Sequence, residues 1–404
     1  MKLDFNLTQF ISQHITLRSE SLCQEDVDSN IFHLYESVRG KSVLVIGGAG
    51  TIGSNFIKSL LPFQPARLVV VDSSENGLTE LTRDLRSSSL IVPKQFATYP
   101  VDFGDKYFHN YLHSQGPFQI IANFAAHKHV RSEKDILSIE AMIRNNVIKT
   151  FELLQFLSEH QKPEHFFCVS TDKATEPVNV MGATKLLMEK IIFSFKDQMK
   201  VTSARFANVA FSNGSLLDGY LYRINKKQPL SCPNNVKRYF VSPEESGHIC
   251  LLACLLGRTG EIFFPKLEES KMKNFRDITS DFLNSLGFRE KICVSEQEAK
   301  SINIDLRTEE YPVYYFDSHT SGEKLYESFY TPDDQIDLTR LGSLGIISHS
   351  EEENPPDRIS RELQGLVQFF GQKNISKNQI IKRLQELLPG FNHLETGFSL
   401  DQQM

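Results

Sequence analysis

The chain has 404 residues, of which 40% are hydrophobic, enough for a large core and for two or more structural units. Its net charge of −6 includes no basic excess, which argues against a nucleic-acid partner. The N-terminus lacks a basic start followed by an apolar stretch, and no run approaches the roughly eighteen apolar residues that span a bilayer. We therefore expect a cytoplasmic protein with no membrane partner.

The six cysteines are scattered along the chain without a CxxC pair, which is typical of reduced thiols in a cytosolic protein. Cys250 and Cys254 lie one helical turn apart near His248, a spacing that metal sites can also use. We expect core packing for these side chains, so the sequence predicts no metal site.

Residues 1–40 mix short apolar patches with polar spacers, which predicts a helical N-terminal extension of unassigned function. From residue 41 to 212, apolar runs alternate with segments of helical period. The runs are SVLVIGGAG, ARLVVVD, FQIIANFAA, HFFCVSTD and VTSARFAN. Near-continuous apolar runs are typical of strands buried on both faces, so this alternation predicts an α/β fold with a doubly wound parallel sheet of the Rossmann type. Helical spacing over 133–160 and 178–195 predicts two crossover helices.

Beyond residue 212 the alternation weakens, and Pro and Gly interrupt the chain. We assign residues 213–340 mainly to a smaller C-terminal α/β unit that binds substrate across a crevice, and residues 341–404 to a helical tail. Within that tail, residues 357–388 have helical patterning, and Gly390 is a stop signal.

The first predicted strand runs into a GxxGxxG sequence that opens a helix. The residues concerned are Gly47, Gly50, Thr51, Ile52 and Gly53. Glycine lets the backbone turn sharply and approach a pyrophosphate, and the helix N-terminus supplies amide donors. Asp72 lies about twenty residues on, where its carboxylate can bind ribose hydroxyls and repel a 2′-phosphate. The pattern predicts NAD, rather than NADP, as the cofactor.

Two more residues lie at strand ends on the expected path of this cofactor. Asp102 follows the FATYP run, where it could reach the adenine amino group or remain an exposed loop carboxylate. Ala125 follows the fourth strand, and a small residue there would let the chain approach the nicotinamide ribose.

A polar segment, TDKATEPVNVMGATK, follows the strand HFFCVS and contains Thr171, Asp172, Lys173, Met181 and Lys185. Together with NFAAHKHV, RNNVIKT, ARFANVAFSNGS, KRYFVSPEES and SGEKLYES, it resembles the nucleotide-sugar dehydratases and epimerases of the extended short-chain dehydrogenases. STDK followed by NVMGATK is similar to the UDP-N-acetylglucosamine 4,6-dehydratases. The resemblance covers residues 41–330, and the closing LETGFSLDQQM resembles soluble members of the legionaminic acid pathway.

The resemblance implies NAD-dependent 4,6-dehydration of UDP-N-acetylglucosamine for legionaminic acid or bacillosamine-type glycans. C4 is oxidised, water is eliminated across C5 and C6, and hydride returns to C6. Lys173 would be the base at C5, Asp172 the acid at C6, and Thr171 would bond O4, while Lys185 would hold the nicotinamide ribose. The ordinary pKa values, about 10.4 for lysine and 3.9 for aspartate, oppose the first two roles, so a desolvated pocket would have to shift both.

Met181 departs from the YxxxK pattern of the superfamily, in which the tyrosine is an acid and base. A thioether cannot accept a proton, so the group that takes the O4 proton is left open. Resemblance to members with methionine here favours retention of configuration at C5, although inversion stays open.

Five residues are expected to contact the sugar nucleotide. They are Lys128, His129, Asn208, Arg238 and Glu323. Lys128 would face an anionic group, with His129 forming hydrogen bonds or packing beside it. Arg238 would bind the diphosphate in a bidentate manner, because its planar guanidinium matches phosphate oxygens. Asn208 could bond the substrate through its amide, and Glu323 could accept from the nucleotide ribose.

Three alternatives stay open: a GDP-N-acetylglucosamine 4,6-dehydratase, a nucleotide-sugar 4-epimerase and a non-catalytic NAD-binding regulator. An epimerase has little use for an Asp–Lys pair aimed at C5 and C6, and decay to a regulator should not spare Thr171, Asp172, Lys173 and Lys185 together. The superfamily arrangement also implies a homodimer, or a higher homo-oligomer, through the helices near 133–160 and 178–195.

Overall fold

The computed structural model describes residues 5–318, 322, 324, 328–348, 356–372 and 374–397. The N-terminal part is helical and precedes the first strand. Its helices are α1 (Leu7–Phe10), α2 (Gln24–Ser29) and α3 (Ile31–Val38), with a π-helical turn over Ile11–Thr16. Among the described residues, no helix combines the length and the apolar character needed to cross a membrane.

Strands and helices then alternate as the apolar runs predict. They are β1 (Ser42–Ile46), α4 (Thr51–Leu60), β2 (Arg67–Val71), α5 (Glu75–Ser87), β3 (Gln95–Tyr99), α6 (Lys106–Gln115), β4 (Ile120–Asn123), α7 (Ile136–Ile143), α8 (Lys149–His160), β5 (His165–Val169), α9 (Val180–Ser194) and β6 (Lys200–Ala204). A π-helical turn over Arg144–Ile148 joins α7 to α8, so the predicted helix over 133–160 is interrupted.

The second half has shorter strands. Its elements are β7 (Asn208–Val209), α10 (Leu216–Asn225), β8 (Leu230–Pro233), β9 (Lys237–Arg238), β10 (Phe240–Val241), α11 (Pro243–Leu256), β11 (Glu261–Pro265), β12 (Lys273–Asn274), α12 (Phe275–Ser285), β13 (Arg289–Cys293), α13 (Glu296–Ser301), β14 (Glu310–Phe316), β15 (Gln335–Asp337), β16 (Leu344–Ser348), α14 (Pro356–Phe370) and α15 (Lys377–Leu387).

The central sheet has nine strands in the order β15-β16-β11-β6-β5-β4-β1-β2-β3. The seven strands from β11 to β3 in this order pair in parallel, whereas β16 pairs antiparallel with both of its neighbours, β11 and β15. Helices cover the sheet, and β4, β5 and β11 are fully buried. This confirms the predicted doubly wound α/β fold, and α14 and α15 confirm a helical tail.

The central sheet extends beyond residue 212, into the ranges expected for the substrate unit (213–340) and the tail (341–404). The strands β11, β15 and β16 and the helix α11 belong to the central sheet and its flanking layer. A separate three-stranded sheet, β13-β14-β8, contains segments between residues 230 and 316. This sheet and the helices that share its apolar core, α10 and α12, are here called the small unit. Because β11 pairs with β6 and β16, which are distant in the chain, the local pattern does not show that these strands join the central sheet.

The N-terminal extension contacts both the small unit and the helical layer on the central sheet. Phe10 and Ile15 are buried in the small unit's apolar core, beside Phe211 and Phe282. The Arg18 guanidinium donates two hydrogen bonds to the buried carboxylate of Glu245, at 2.6 and 2.7 Å. The extension therefore contacts the small unit directly and the central layer through α11.

No residue of α9 is exposed: thirteen are buried, and Leu186 and Lys190 are half-buried. Within the same chain, α14 packs on α9, and its side chains Ile359, Leu363 and Leu366 join the main core. The sequence predicts that α9 contributes to a homodimer interface. In this structure, α14 of the same chain already covers the outer face of α9.

We expect a chain ending at residue 355 to self-associate, because it would expose the apolar outer face of α9. Sedimentation velocity of the full and shortened chains at several concentrations measures this. If the full-length protein forms a dimer, and a polar substitution of Leu187 abolishes it, then α14 does not cover the dimer face of α9.

Candidate active site

The glycine-rich turn after β1 has the geometry of a phosphate-binding loop. Gly47 has a φ of +74°, and a Cβ there would lie 2.7 Å from the backbone carbon of Phe124. At Gly53 a Cβ would lie 2.5 Å from the Gly47 carbonyl oxygen, so both positions require glycine. Gly50 is the N-cap of α4, and no side chain caps the first amides of this helix among the described residues. The loop combines a close backbone approach with a helix N-terminus, which suits a pyrophosphate.

A pocket of about 200 Å³ lies beside this loop. It is lined by Ile46, Gly47, Gly50, Val71, Asp72, Ser73, Val101, Asp102, Phe103, Phe124, Ala125, Ala126, His127 and Asn145. The Asp72 carboxylate accepts hydrogen bonds from the amides of Ala49 and Ser74, at 3.0 and 2.9 Å, so it also holds the glycine-rich loop. Five of the predicted cofactor residues therefore meet here: Gly47, Gly50, Asp72, Asp102 and Ala125.

Asp102 is paired rather than free in the loop. It accepts hydrogen bonds from Lys149, at 2.5 Å, and from the Gly104 amide, at 2.8 Å. Partial burial alone would raise its pKa, but these hydrogen bonds outweigh burial and lower the pKa of the Asp102 carboxyl. The residue is an ionised wall of this pocket.

A second cavity, of about 290 Å³, adjoins the first, and both are lined by Phe124 and Ala126. Its other lining residues are Ile52, Lys128, His129, Val169, Ser170, Thr171, Lys173, Met181, Lys185, Phe206, Ala207, Asn208, Val209, Ser212, Ser215, Leu216, Leu217, Phe240 and Phe275. An elongated ligand could extend from the glycine-rich loop, past Ala126, to the polar segment after β5.

The polar segment forms a compact hydrogen-bonded group at the carboxyl end of β5. Buried Asp172 accepts from the Thr171 hydroxyl at 2.8 Å and from the Lys173 ammonium at 3.1 Å, both on Oδ1. Thr171 and Lys173 line the cavity, whereas Asp172 lies behind them. The structure therefore connects a buried carboxylate to the cavity through one hydroxyl and one amine.

Lys185 and Met181 lie on the first turns of α9, on the cavity wall. The Lys185 ammonium donates to the Val169 carbonyl at 2.6 Å, and burial lowers its pKa. Near it, the Ser170 hydroxyl is buried without a hydrogen-bond partner among the described residues. An unpaired buried hydroxyl on a cavity wall is suited to bonding a ligand.

The predicted substrate contacts divide into three groups. Lys128, His129 and Asn208 line the cavity, and burial lowers the pKa of Lys128, although Asp218 opposes that shift. Arg238 is buried in β9, donates to the Lys237 carbonyl at 2.8 Å and is absent from the cavity lining. Glu323 lies outside the described residues.

The predicted contacts at the start of α4 also differ from one another. Ile52 lines the larger cavity, whereas Thr51 lines neither cavity. The Thr51 hydroxyl instead accepts a hydrogen bond from the Asn213 amide at 2.9 Å. Thr51 thus joins the glycine-rich loop to the start of the segment that leads into the small unit.

Sequence reasoning missed the π-helical turn between α7 and α8. The turn places Asn145 on the smaller pocket and buries Asn146, whose amide donates to the His127 carbonyl and to the Thr184 hydroxyl, at 3.0 and 3.1 Å. Such turns frequently mark functional sites. The signal available was RNNVIKT, with two adjacent asparagines inside an otherwise apolar helical pattern.

The apolar end of the larger cavity was also missed. Its residues Leu216, Leu217, Phe240 and Phe275 come from α10, β10 and α12. No local pattern identifies them, because they are ordinary apolar residues that the small unit brings together.

One group of potential metal ligands occurs among the described residues. Atoms of Glu133, His393 and Glu395 lie within 4.8 Å of one another, away from the larger cavity's lining. The Lys377 ammonium lies 2.5 Å from Glu395 and 3.6 Å from Glu133, so a cation already stands among these carboxylates. The cysteine pair Cys250 and Cys254 is buried in the core, and burial raises the pKa of both thiols.

Comparison with known proteins supports the motif analysis. The chain is 30% identical over 357 residues to an uncharacterized membrane protein of Methanocaldococcus jannaschii, covering 86% of this chain and 96% of that protein. It is 25% identical to a UDP-N-acetylglucosamine 4,6-dehydratase (inverting) of Campylobacter jejuni, covering 81% and 97%.

Solved structures show the same fold. The X-ray structure of Pen from Bacillus thuringiensis superposes with a TM-score of 0.62 at 22% identity, covering 78% of this chain and 90% of that one. Residues 43–348 match the model of a family described as polysaccharide biosynthesis protein. This match takes in the glycine-rich loop, the polar segment after β5 and most of the small unit, and the chain therefore belongs to the polysaccharide biosynthesis protein family.

Proposed function

We propose that the protein is an NAD-dependent sugar-nucleotide 4,6-dehydratase that acts on UDP-N-acetylglucosamine. The observation that carries the proposal is the joint placement of Thr171, Lys173 and Lys185 on one cavity, with Asp172 bonded behind them. The similar Campylobacter protein, named for this activity, supports the substrate class.

The smaller pocket and the glycine-rich loop fit a dinucleotide. Gly47 and Gly53 allow the tightly packed turn that would present the start of α4 to the pyrophosphate, and Asp72 offers carboxylate oxygens to the ribose. Lys185 and the unpaired Ser170 hydroxyl would hold the nicotinamide end. When bound, NAD would take the hydride from C4 and supply it again at C6.

We infer that the O4 proton passes through the Thr171 hydroxyl to Asp172, which replaces the missing tyrosine. The hydroxyl already donates to this carboxylate, at 2.8 Å, so it can pass on one proton while it accepts another. Met181 has no proton to exchange and fills the tyrosine position as an apolar wall. The relay leaves Asp172 neutral.

The remaining steps follow from that proton. The C4 ketone makes the C5 proton acidic, and Lys173 removes it. Asp172 returns its proton, again through the Thr171 hydroxyl, to the C6 hydroxyl, which leaves as water. Removal of the C5 proton requires Lys173 in its amine form, so its ammonium must first release a proton to water. A neutral Asp172 favours that release more than an ionised one does. Lys173 then gives its proton back to C5, so the sugar nucleotide loses one water in total.

At the anionic end, Lys128 would contact the diphosphate. We expect Lys128→Met to raise KM for the sugar nucleotide by about tenfold with a smaller change in kcat, because this charge binds substrate and transition state alike. Steady-state kinetics at two salt concentrations check this. A lower kcat at unchanged KM would place Lys128 in the chemistry instead.

The function is tested by incubating purified protein with UDP-N-acetylglucosamine and, separately, GDP-N-acetylglucosamine. We expect the mass of the UDP sugar to fall by one water and a C6 methyl signal to appear in the proton NMR spectrum. The proton couplings of H5 in the product formed in ordinary water report the configuration at C5, and reaction in deuterated water reports exchange of the C5 proton. An isomer of unchanged mass would indicate a 4-epimerase, and no change with either sugar would refute the proposal. We further propose that the 4-keto product enters legionaminic acid or bacillosamine-type glycan synthesis.

A further inference from the structure

The start of α9 is held partly by groups outside the polar segment 171–185, which is here called the catalytic segment. The N-cap Asn179 accepts from the Gly182 amide at 2.7 Å, and its side-chain amide donates to the Gly322 carbonyl at 2.7 Å. The next amide, of Val180, donates to Glu133 at 2.9 Å. Met181 is the following residue and Lys185 lies about one turn further on, so these bonds set the position of both side chains on the cavity wall.

Glu133 is itself held by the end of the chain. Its carboxylate is buried and contacts the imidazole of His393, which is 5% exposed. Lys377 lies 3.6 Å from the same carboxylate oxygen. A buried carboxylate needs such partners, because without them its charge is poorly solvated.

The backbone around His393 docks on the catalytic segment. The amides of Asn392 and Leu394 donate to the carbonyls of Pro177 and Val178, at 3.4 and 2.8 Å. The Leu394 carbonyl accepts from the Gly322 amide at 2.8 Å. Residues 392–397, here called the C-terminal segment, thus pair with the turn that leads from Lys173 to α9.

Glu133 also lies close in sequence to the other side of the cavity. It belongs to a 3₁₀ turn, Val130–Lys134, that begins directly after the cavity residues Lys128 and His129. The contact with His393 therefore joins two walls of the cavity: the 128–133 stretch and the start of α9.

We infer that the C-terminal segment positions the catalytic segment, and that His393 is a positioning residue that acts through Glu133. This inference rests on the proposed function for its kinetic readout only. Reacting groups must be placed to within a fraction of an ångström, and misplacement by about 1 Å can reduce a rate by 10²-fold. The segment acts from within the same chain, with α14 covering the outer face of α9.

The test compares His393→Ala, His393→Gln and a chain ending at Phe391, which keeps α14 and α15. Lys382→Ala is the control, because Lys382 is an exposed residue of the same tail helix, α15. We expect His393→Ala and the shortened chain to lower kcat by about 10- to 100-fold. Both should speed amide hydrogen exchange over residues 177–185. His393→Gln keeps a donor at the Nε2 position and should restore most of the activity.

Wild-type kcat and wild-type exchange over 177–185 in the shortened chain would overturn the inference. A loss of thermal stability alone, with kcat retained, would also overturn it, since that is the result of a purely structural role. Activity lost to EDTA and restored by Zn²⁺ would assign Glu133, His393 and Glu395 to a metal ion instead. If wild-type protein forms no product, the proposed function fails, whereas the exchange measurement still decides the role of the segment.

Discussion

Lys173→Met is expected to lower the rate of product formation by roughly 10²- to 10⁴-fold, the usual contribution of a general base. The Lys173 ammonium lies on the cavity wall, 3.1 Å from Asp172, and methionine keeps the length and apolar stem of lysine without the amine. Removal of the C5 proton should therefore fail while nucleotide binding persists. The measurement is product formation by mass spectrometry, with uptake of deuterium at C5 followed by NMR.

The matched control is Lys162→Met. Lys162 is exposed and precedes the amino end of β5, whereas Lys173 follows the carboxyl end of the same strand. Lys162→Met should keep the rate of product formation within about a factor of two of the wild-type rate, because the side chain lies at the surface. If Lys173→Met keeps more than about a tenth of the wild-type rate, another group is the base and the mechanism proposed for this pair is wrong.

Gly47→Ala should lower the free energy of unfolding by about 2–5 kcal/mol and abolish NAD binding at ordinary concentrations. A left-handed residue with a Cβ is strained by about 1–2 kcal/mol, and overpacking adds about 1–3. At Gly47 the added methyl group would meet the backbone of Phe124 and Ala125, which cannot move aside as a flexible side chain can. Denaturant unfolding and calorimetric titration with NAD measure the two effects.

Two other glycines separate strain from steric clash. Gly40 has the same φ, +74°, and a Cβ there would have no atom within 4 Å, so Gly40→Ala should lose only the strain of about 1–2 kcal/mol. Gly50 has a φ of −72° and an ordinary contact at 3.5 Å, so Gly50→Ala should change stability by less than about 1 kcal/mol. Equal losses at all three positions would show that the close approach at Gly47 is not the cause.

Much of the fold is predictable from local patterns. The apolar runs that become β1, β2, β4, β5 and β6 are buried on both faces, and this requirement is visible within each run. The GxxGxxG turn is equally local, because its glycines are required by φ and by close backbone contacts. The same holds for Thr171, Asp172 and Lys173, which are neighbours in the chain and bond to one another after β5.

Other features depend on contacts between residues that are far apart in the chain. β11 joins the sheet beside β6, and β16 pairs with β11, although 56 or more residues separate the paired strands in the chain. The chemistry of Arg238 suits a diphosphate, but only the tertiary structure shows that this residue is buried and outside the lining of the larger cavity. The covering of α9 by α14 and the pairing of residues 392–394 with 177–178 likewise have no local signal.

The distance along the chain over which an interaction acts explains why some features are predictable from the sequence and others are not. Burial on both faces, glycine conformations and helix capping act over a few neighbouring residues, so the amino-acid order alone reveals the Rossmann sheet, the nucleotide loop and the Asp172–Lys173 pair. Which apolar residues close the cavity, and which carboxylate meets His393, depends on how distant segments pack after the sheet has formed. Those contacts bring Glu133 and His393, which are 260 positions apart in the chain, to the start of α9.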